Sequence, residues 1–253
     1  MLKTNEKRRD MLKGVGIRKS FGGLQALKGV DFQINEGEIV GLIGPNGSGK
    51  TTLFNIISGL LRPDTGQVIF EDTQIQGLPP HKIASMGVGR TFQIVRPLMD
   101  LTLMDNVATA VLFGREHIDS PALAREKALE ILKFTGLSDK ANYLPGQLAL
   151  EDRKRLEIAR ALATRPRIIL LDEVYAGLNQ KEIEEAIELT FRIRDECKIT
   201  VFLIEHVMKA IMQTCSRVIV LHNGEKIADG DPETVTNDPT VVSAYLGAAY
   251  AER

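Results

Sequence analysis

The sequence predicts an α/β domain with a mostly parallel sheet core, an antiparallel β-subdomain beside it and a helical subdomain. Three patterns support this. An apolar strand runs into a glycine-rich turn and a helix near residues 38–57. Strands and helices alternate from Ile168 to Leu221, as a parallel sheet covered on both faces requires. Between them, from about Leu103 to Leu137, apolar residues recur at helical spacing.

Taken in order, residues 1–10 read as a flexible tail whose run Lys7-Arg8-Arg9 is a solvated extension, leaving 11–253 as a single domain. Val30, Phe32 and Ile34 alternate with Asp31, Gln33 and Asn35 as in a half-buried strand, and Asn35-Glu36-Gly37-Glu38 forms the turn after it. Gln67-Val68-Ile69-Phe70-Glu71 is a second short strand between Pro63-Asp64-Thr65-Gly66 and Gly77-Leu78-Pro79-Pro80. Early strands without long crossover helices indicate antiparallel pairing. The helical subdomain is expected at about residues 97–163. Ser120-Pro121 supplies a cap and a first-turn proline for one of its helices, Gly136 ends that helix, and a second runs from about Glu151 to Ala163 before Pro166. Strands then follow at Ile168–Leu171, Thr200–Ile204 and Arg217–Leu221, the last running into the turn His222-Asn223-Gly224-Glu225.

The bulk numbers exclude several classes. At 253 residues, 43% hydrophobic and 26% charged, the chain is long enough for one large domain, and its net charge of -1 gives no electrostatic case for nucleic acid. The longest apolar runs are strand length, too short to span a bilayer. The polar start lacks the apolar core of a secretory signal. Cys197 and Cys215, with no C-x-x-C spacing, read as buried thiols of a reducing compartment.

Gly44-Pro45-Asn46-Gly47-Ser48-Gly49-Lys50-Thr51 matches G-x-x-x-x-G-K-[ST] at every fixed position. Placed between a strand and a helix N-terminus, it aims backbone N–H groups and the helix dipole at one spot that favours phosphate. Together with Thr52, these residues are the candidate nucleotide site. Lys50 would reach the β/γ-phosphates and the Thr51 hydroxyl would ligate Mg²⁺. The buried strand ending in Asp172-Glu173 supplies the second half of the chemistry. Asp172 can hold Mg²⁺ directly or through water, and Glu173 can accept a proton from an attacking water. His81, His117 and His222 read as turn or surface histidines.

In this order and spacing the chain resembles the ATP-hydrolysing subunits of ABC transporters over nearly all of its length. Asp172-Glu173-Val174-Tyr175-Ala176-Gly177-Leu178-Asn179 resembles the segment after that family's metal strand, with Val174 where proline is usual. Ile204-Glu205-His206 resembles its switch histidine, Thr91-Phe92-Gln93 its glutamine loop, and Phe21 stands where an aromatic ring stacks on adenine. The resemblance implies that two nucleotide subunits sandwich ATP·Mg²⁺. His206 would then steady the γ-phosphate, while Gln93 senses that phosphate, or its metal and water, and relays the change to a membrane partner.

The family's signature L-S-G-G-Q is where this chain departs. Counting back from Arg153-Lys154-Arg155-Leu156-Glu157 places Leu148-Ala149-Leu150-Glu151-Asp152 on it. The serine hydroxyl is lost at Ala149 and both glycines are replaced, one by Glu151. Either that acid meets the γ-phosphate charge unfavourably, or backbone donors still bind and the side chains turn away. Leu144-Pro145-Gly146-Gln147 lies out of frame.

Ser20 to Leu27, Gly89 to Arg96, Arg155 to Arg160 and the ending Asp231-Pro232-Glu233 through Ala244-Tyr245-Leu246-Gly247 resemble the branch that imports branched-chain amino acids and similar polar molecules. Lipid or lipopolysaccharide exporters share much of this pattern. A non-transport ABC protein acting on DNA or ribosomes would carry two cassettes or a long coiled-coil insertion. A P-loop kinase or GTPase would have no use for the Asp-Glu pair followed by a switch histidine. The implied partners are membrane permease subunits, a second ABC ATPase in a favoured heterodimer and, indirectly, a substrate-binding protein. The implied location is peripheral, on the cytoplasmic face of the membrane.

Overall fold

The computed structural model describes residues 9–92 and 97–246. β1 (Asp10–Phe21) and β2 (Leu24–Asn35) pair antiparallel, and β3 (Ile39–Ile43) leads through the 44–49 loop into α1 (Lys50–Ile57). β4 (Thr65–Phe70), β5 (Thr73–Gln74), α2 (Pro80–Met86) and β6 (Val88–Arg90) follow. The helical stretch holds α3 (Leu103–Leu112), α4 (Pro121–Phe134) and α5 (Leu150–Ala163). The chain then alternates: β7 (Ile168–Asp172), α6 (Gln180–Asp195), β8 (Thr200–Ile204), α7 (Met208–Thr214), β9 (Arg217–His222), β10 (Glu225–Gly230), α8 (Pro232–Thr236) and α9 (Pro239–Leu246). Apart from Arg9 and Asp10, the expected tail lies outside the described residues. Asp10 is no tail residue: it opens β1 opposite Asn35.

Two sheets result. The antiparallel one has the order β2-β1-β4-β5, and the larger one the order β10-β9-β3-β8-β7-β6, parallel except for the β9–β10 hairpin. That hairpin turns at Asn223 and Gly224, both at positive φ, the conformation a tight two-residue turn requires. β3, β7 and β8 are buried at every position, so they read as unbroken apolar runs rather than alternating ones.

The core divides by sheet face. One cluster fills the space between the two sheets, where the Phe202 ring lies 5.0 Å from Phe54 and 5.8 Å from Phe32, centroid to centroid. A second packs α6 and α7 on the opposite face, and a third holds α3, α4 and α5 together. Helix ends follow local chemistry. Ser120 Oγ accepts the Leu123 N–H ahead of Pro121, while Asn179 and Glu182 cap the start of α6 reciprocally. Cys215 is buried as expected, but Cys197 is exposed, because it lies past the end of α6 in the turn before β8.

Candidate functional site

Parallel pairing places the working ends of three strands side by side. Ile43 of β3 ends at the glycine loop, and Asp172 of β7 lies opposite Ile204 of β8, so Glu173 and Glu205-His206 leave the sheet together. The loop's shape requires its glycines. At Gly44, φ +148, an added Cβ would lie 2.0 Å from the Leu221 carbonyl oxygen. At Gly49, φ +108, it would lie 2.6 Å from the Ala26 carbonyl oxygen. Gly47, φ +79, borders open space. No side chain caps the N-terminus of α1, so its first-turn donors face the loop.

Lys50 folds back along the loop: its Nζ donates to the carbonyl oxygens of Gly44 at 2.7 Å and Pro45 at 3.0 Å. Burial lowers its pKa, and the nearby carboxylates of Glu173 and Asp172 oppose that shift. Lys50, Thr51, Thr52, Glu173, His206 and Phe21 border one cleft of about 770 Å³. Phe21 is 46% exposed there and so offers a ring face. A second cleft of about 600 Å³ runs between α1, α2 and α5, bordered by Thr51, Ile83, Arg90, Phe92, Glu157 and Ala161. Gln93 lies outside the described residues.

Asp172 is almost wholly buried. Its Oδ2 accepts from Arg90 Nη2 at 3.0 Å and its N–H donates to Thr91 Oγ1 at 3.0 Å. Burial raises its pKa against the pull of Arg90. Its Oδ1 is buried and has no hydrogen-bond partner among the described residues. Arg90 Nε, a donor that no cation could satisfy, is likewise unpartnered, but an orphaned carboxylate oxygen is what a Mg²⁺ ion carried by a nucleotide would take up, so the residues present fit that ion.

Glu173 stands in the left-handed region at φ +53. It is held from several sides: its N–H donates to the Ile204 carbonyl, and its Oε1 lies 2.8 Å from His206 Nε2. Lys154, on α5, donates from Nζ to the carbonyl oxygens of Glu173 at 2.8 Å and Ala176 at 2.5 Å. A left-handed non-glycine residue is costly to hold, and these contacts fix it in place. Val174, at the usual proline position, is core.

Arg90, Lys154 and Glu205 received no role from the sequence alone. Glu205 follows four apolar residues, Val201 to Ile204, where a strand-end acid is expected to be solvated. Instead it is wholly buried, accepting the N–H of Tyr175 at 2.7 Å on one oxygen and that of His206 at 3.3 Å on the other. Burial pushes its carboxyl from 4.5 up to about 7. The folded state therefore holds a proton that the unfolded chain releases between those values, and stability falls as pH rises through that window. Glu205→Gln is expected to flatten this dependence and to gain relative stability on the alkaline side. Urea midpoints at about pH 5 and about pH 8 check it. A variant whose midpoint falls as steeply as the wild type's contradicts the assignment.

The signature segment sits at the start of α5. Leu148 is core, Ala149 occupies the N-cap without a side-chain acceptor, and Leu150 is 49% exposed against Gly177. Glu151 pairs with Arg155, and Asp152 accepts from Lys140 Nζ at 2.6 Å. Both acids are thus turned to cations of the same chain. Pro145–Gln147 forms a short 3₁₀ turn ahead of it.

A phosphate loop, a strand-end Asp-Glu pair and a histidine meeting the glutamate across adjacent parallel strands define a nucleotide-hydrolysing P-loop domain. Comparison with known proteins narrows this. The family described as "ABC transporter" matches residues 27–176, and that described as "Branched-chain amino acid ATP-binding cassette transporter" matches 225–251. The high-affinity branched-chain amino acid transport ATP-binding protein BraF of Pseudomonas aeruginosa is 41% identical over 256 residues, spanning 95% of this chain and 99% of that one. The ADP conformation of MJ1267, an ATP-binding cassette of an ABC transporter, matches with TM-score 0.85 at 33% identity, covering 94% and 99% of the two chains. The dimeric structure of MJ0796, a bacterial ABC transporter cassette, matches with TM-score 0.80 at 32% identity, covering 88% and 99%. The chain belongs to the ABC transporter ATP-binding family.

Proposed function

We propose that this chain is the ATPase subunit that powers import of branched-chain amino acids, or similar polar small molecules, through a separate membrane permease. The observation that carries the reading is the single cleft shared by Lys50, Thr51, Glu173 and His206, in a chain whose relatives are named for this transport. Nothing in the site favours lipid export or action on nucleic acid.

The roles follow from position. Backbone donors of 44–52 and the Lys50 ammonium bind the β- and γ-phosphates, and Phe21 stacks on the base. Thr51 Oγ1 and Asp172 Oδ1 would hold Mg²⁺, with Gln93 as a further contact. The ion supplies charge stabilisation on the phosphate oxygens. Glu173 accepts the proton of the attacking water and His206 stabilises the γ-phosphate as charge builds. Gln93 reports the state of that phosphate to the permease, which docks near the second cleft beside Phe92.

Among the described residues no helix is long and apolar enough to cross a membrane, which fits a peripheral subunit on the cytoplasmic face. A substrate-binding protein acts on the permease and not on this chain. The second ATPase is a different chain. This one keeps its own half-site but offers a signature without serine or glycines, so a partner's intact signature caps its ATP and one strong and one weak site result. Purification with the permease tests the assignment, and the isolated chain tests the pairing. It is expected to hydrolyse ATP far more slowly than the assembled transporter. ATP-dependent dimerisation with hydrolysis at the transporter's rate contradicts the heterodimer.

A further inference from the structure

Arg90 is the last residue of β6, and its side chain is buried with the guanidinium tied to three groups on two elements, β7 and α1. Nη2 donates to Asp172 Oδ2 at 3.0 Å, and Nη1 donates to Asn55 Oδ1 at 2.8 Å and Ser58 Oγ at 2.7 Å. Its Cζ lies 5.7 Å from the centroid of the Phe54 ring and 5.1 Å from that of Phe92. Asn55 and Ser58 belong to and cap α1, the helix that starts with Lys50-Thr51. The guanidinium therefore fixes the phosphate-loop helix and the strand-end carboxylate relative to each other. The planar fork makes this possible, since an ammonium could not hold all three partners in that geometry.

The arrangement also divides the two oxygens of Asp172. Oδ2 is taken by Arg90, and the Asp172 N–H is anchored by Thr91 Oγ1, so the carboxylate cannot turn freely. Of the two oxygens, Oδ1 is the one without a partner among the described residues. A buried ion pair is a poor source of net stability, because desolvation offsets most of the attraction. Its orienting effect on an atom that needs a fixed direction is a separate matter.

We propose that Arg90 is a positioning residue for the metal: it holds Asp172 so that Oδ1 faces the Mg²⁺ of the bound nucleotide and Thr51 stays aligned with it. This rests on Asp172 being a metal residue, as inferred above. The competing account is a purely structural pair that fastens β6 to β7, and it makes no demand on Mg²⁺.

The test is the ATP dissociation constant of the full chain in Mg²⁺ and in EDTA, for wild type, Arg90→Gln, Asp172→Asn and the double variant. Removing the group behind a metal ligand typically costs roughly 10–100-fold in metal affinity. Arg90→Gln is therefore expected to lose most of the tightening that Mg²⁺ gives while keeping the EDTA affinity, and the double variant to match Asp172→Asn. Wild-type tightening in Arg90→Gln, equal losses in both media, or additive losses in the double variant overturn the proposal. If Asp172→Asn itself keeps the full tightening, the metal reading of Asp172 fails first, and this inference with it. Should Arg90→Gln fail to fold, Asn55→Ala combined with Ser58→Ala frees the same guanidinium without unpairing the carboxylate. Tightening equal to wild type in that variant also overturns the assignment.

Discussion

Glu173→Gln is expected to bind ATP as the wild type does and to lose turnover by roughly 10²–10⁴-fold, the usual cost of removing a general base. The amide keeps the size of the carboxylate and an oxygen near His206 Nε2, which lies 2.8 Å from Glu173 Oε1. The backbone contacts that hold residue 173 at φ +53, from the Ile204 carbonyl and from Lys154, do not involve the side chain. What changes is basicity. Steady-state hydrolysis with the permease and partner subunit present is the measurement, with nucleotide affinity as control. Activity near the wild-type rate would remove Glu173 from the chemistry.

Lys50→Ala is expected to abolish nucleotide binding. The ammonium is the only side-chain cation within the 44–52 loop, and it faces a site that already holds the charges of Asp172 and Glu173. Without it, a triphosphate meets the carboxylates of Asp172 and Glu173 with no side-chain cation inside the loop to offset them, and the Arg90 guanidinium is committed to Asp172. The loss of its bonds to the Gly44 and Pro45 carbonyls will change the melting temperature by itself. The readout is therefore the shift caused by saturating ATP·Mg²⁺. An unchanged shift shows that the loop is not the site.

Much of this was legible before the structure. The phosphate loop, Asp172-Glu173 and the strands at 168–171, 200–204 and 217–221 declare themselves because a buried parallel strand must be an apolar run, and because the loop's geometry admits few residues. β1 was not legible. Gly14 packs where a Cβ would lie 2.2 Å from the Phe32 ring, and Gly16, at φ +59, sits in a register shift, so the alternation that marks a strand is broken. α2, α8 and α9 are short, and their stability comes from packing that a local pattern does not display. The roles of Arg90, Lys154 and Glu205 depend on partners 82, 19 and 30 residues away, and no spacing rule reaches that far. Counting put Leu148 to Asp152 on the signature and left two outcomes open at Glu151; its carboxylate is turned to Arg155, one helical turn on.

The most direct test is ATP-driven uptake. Vesicles are reconstituted with the permease, the partner ATPase, the substrate-binding protein and either wild-type chain or Glu173→Gln, and accumulation of labelled leucine is followed. The expected result is uptake that requires ATP and Mg²⁺ with the wild-type chain and nearly vanishes with the variant, in step with hydrolysis. Leucine uptake that proceeds equally with Glu173→Gln, or hydrolysis by the wild-type assembly with no accumulation of any branched-chain amino acid, would contradict the account.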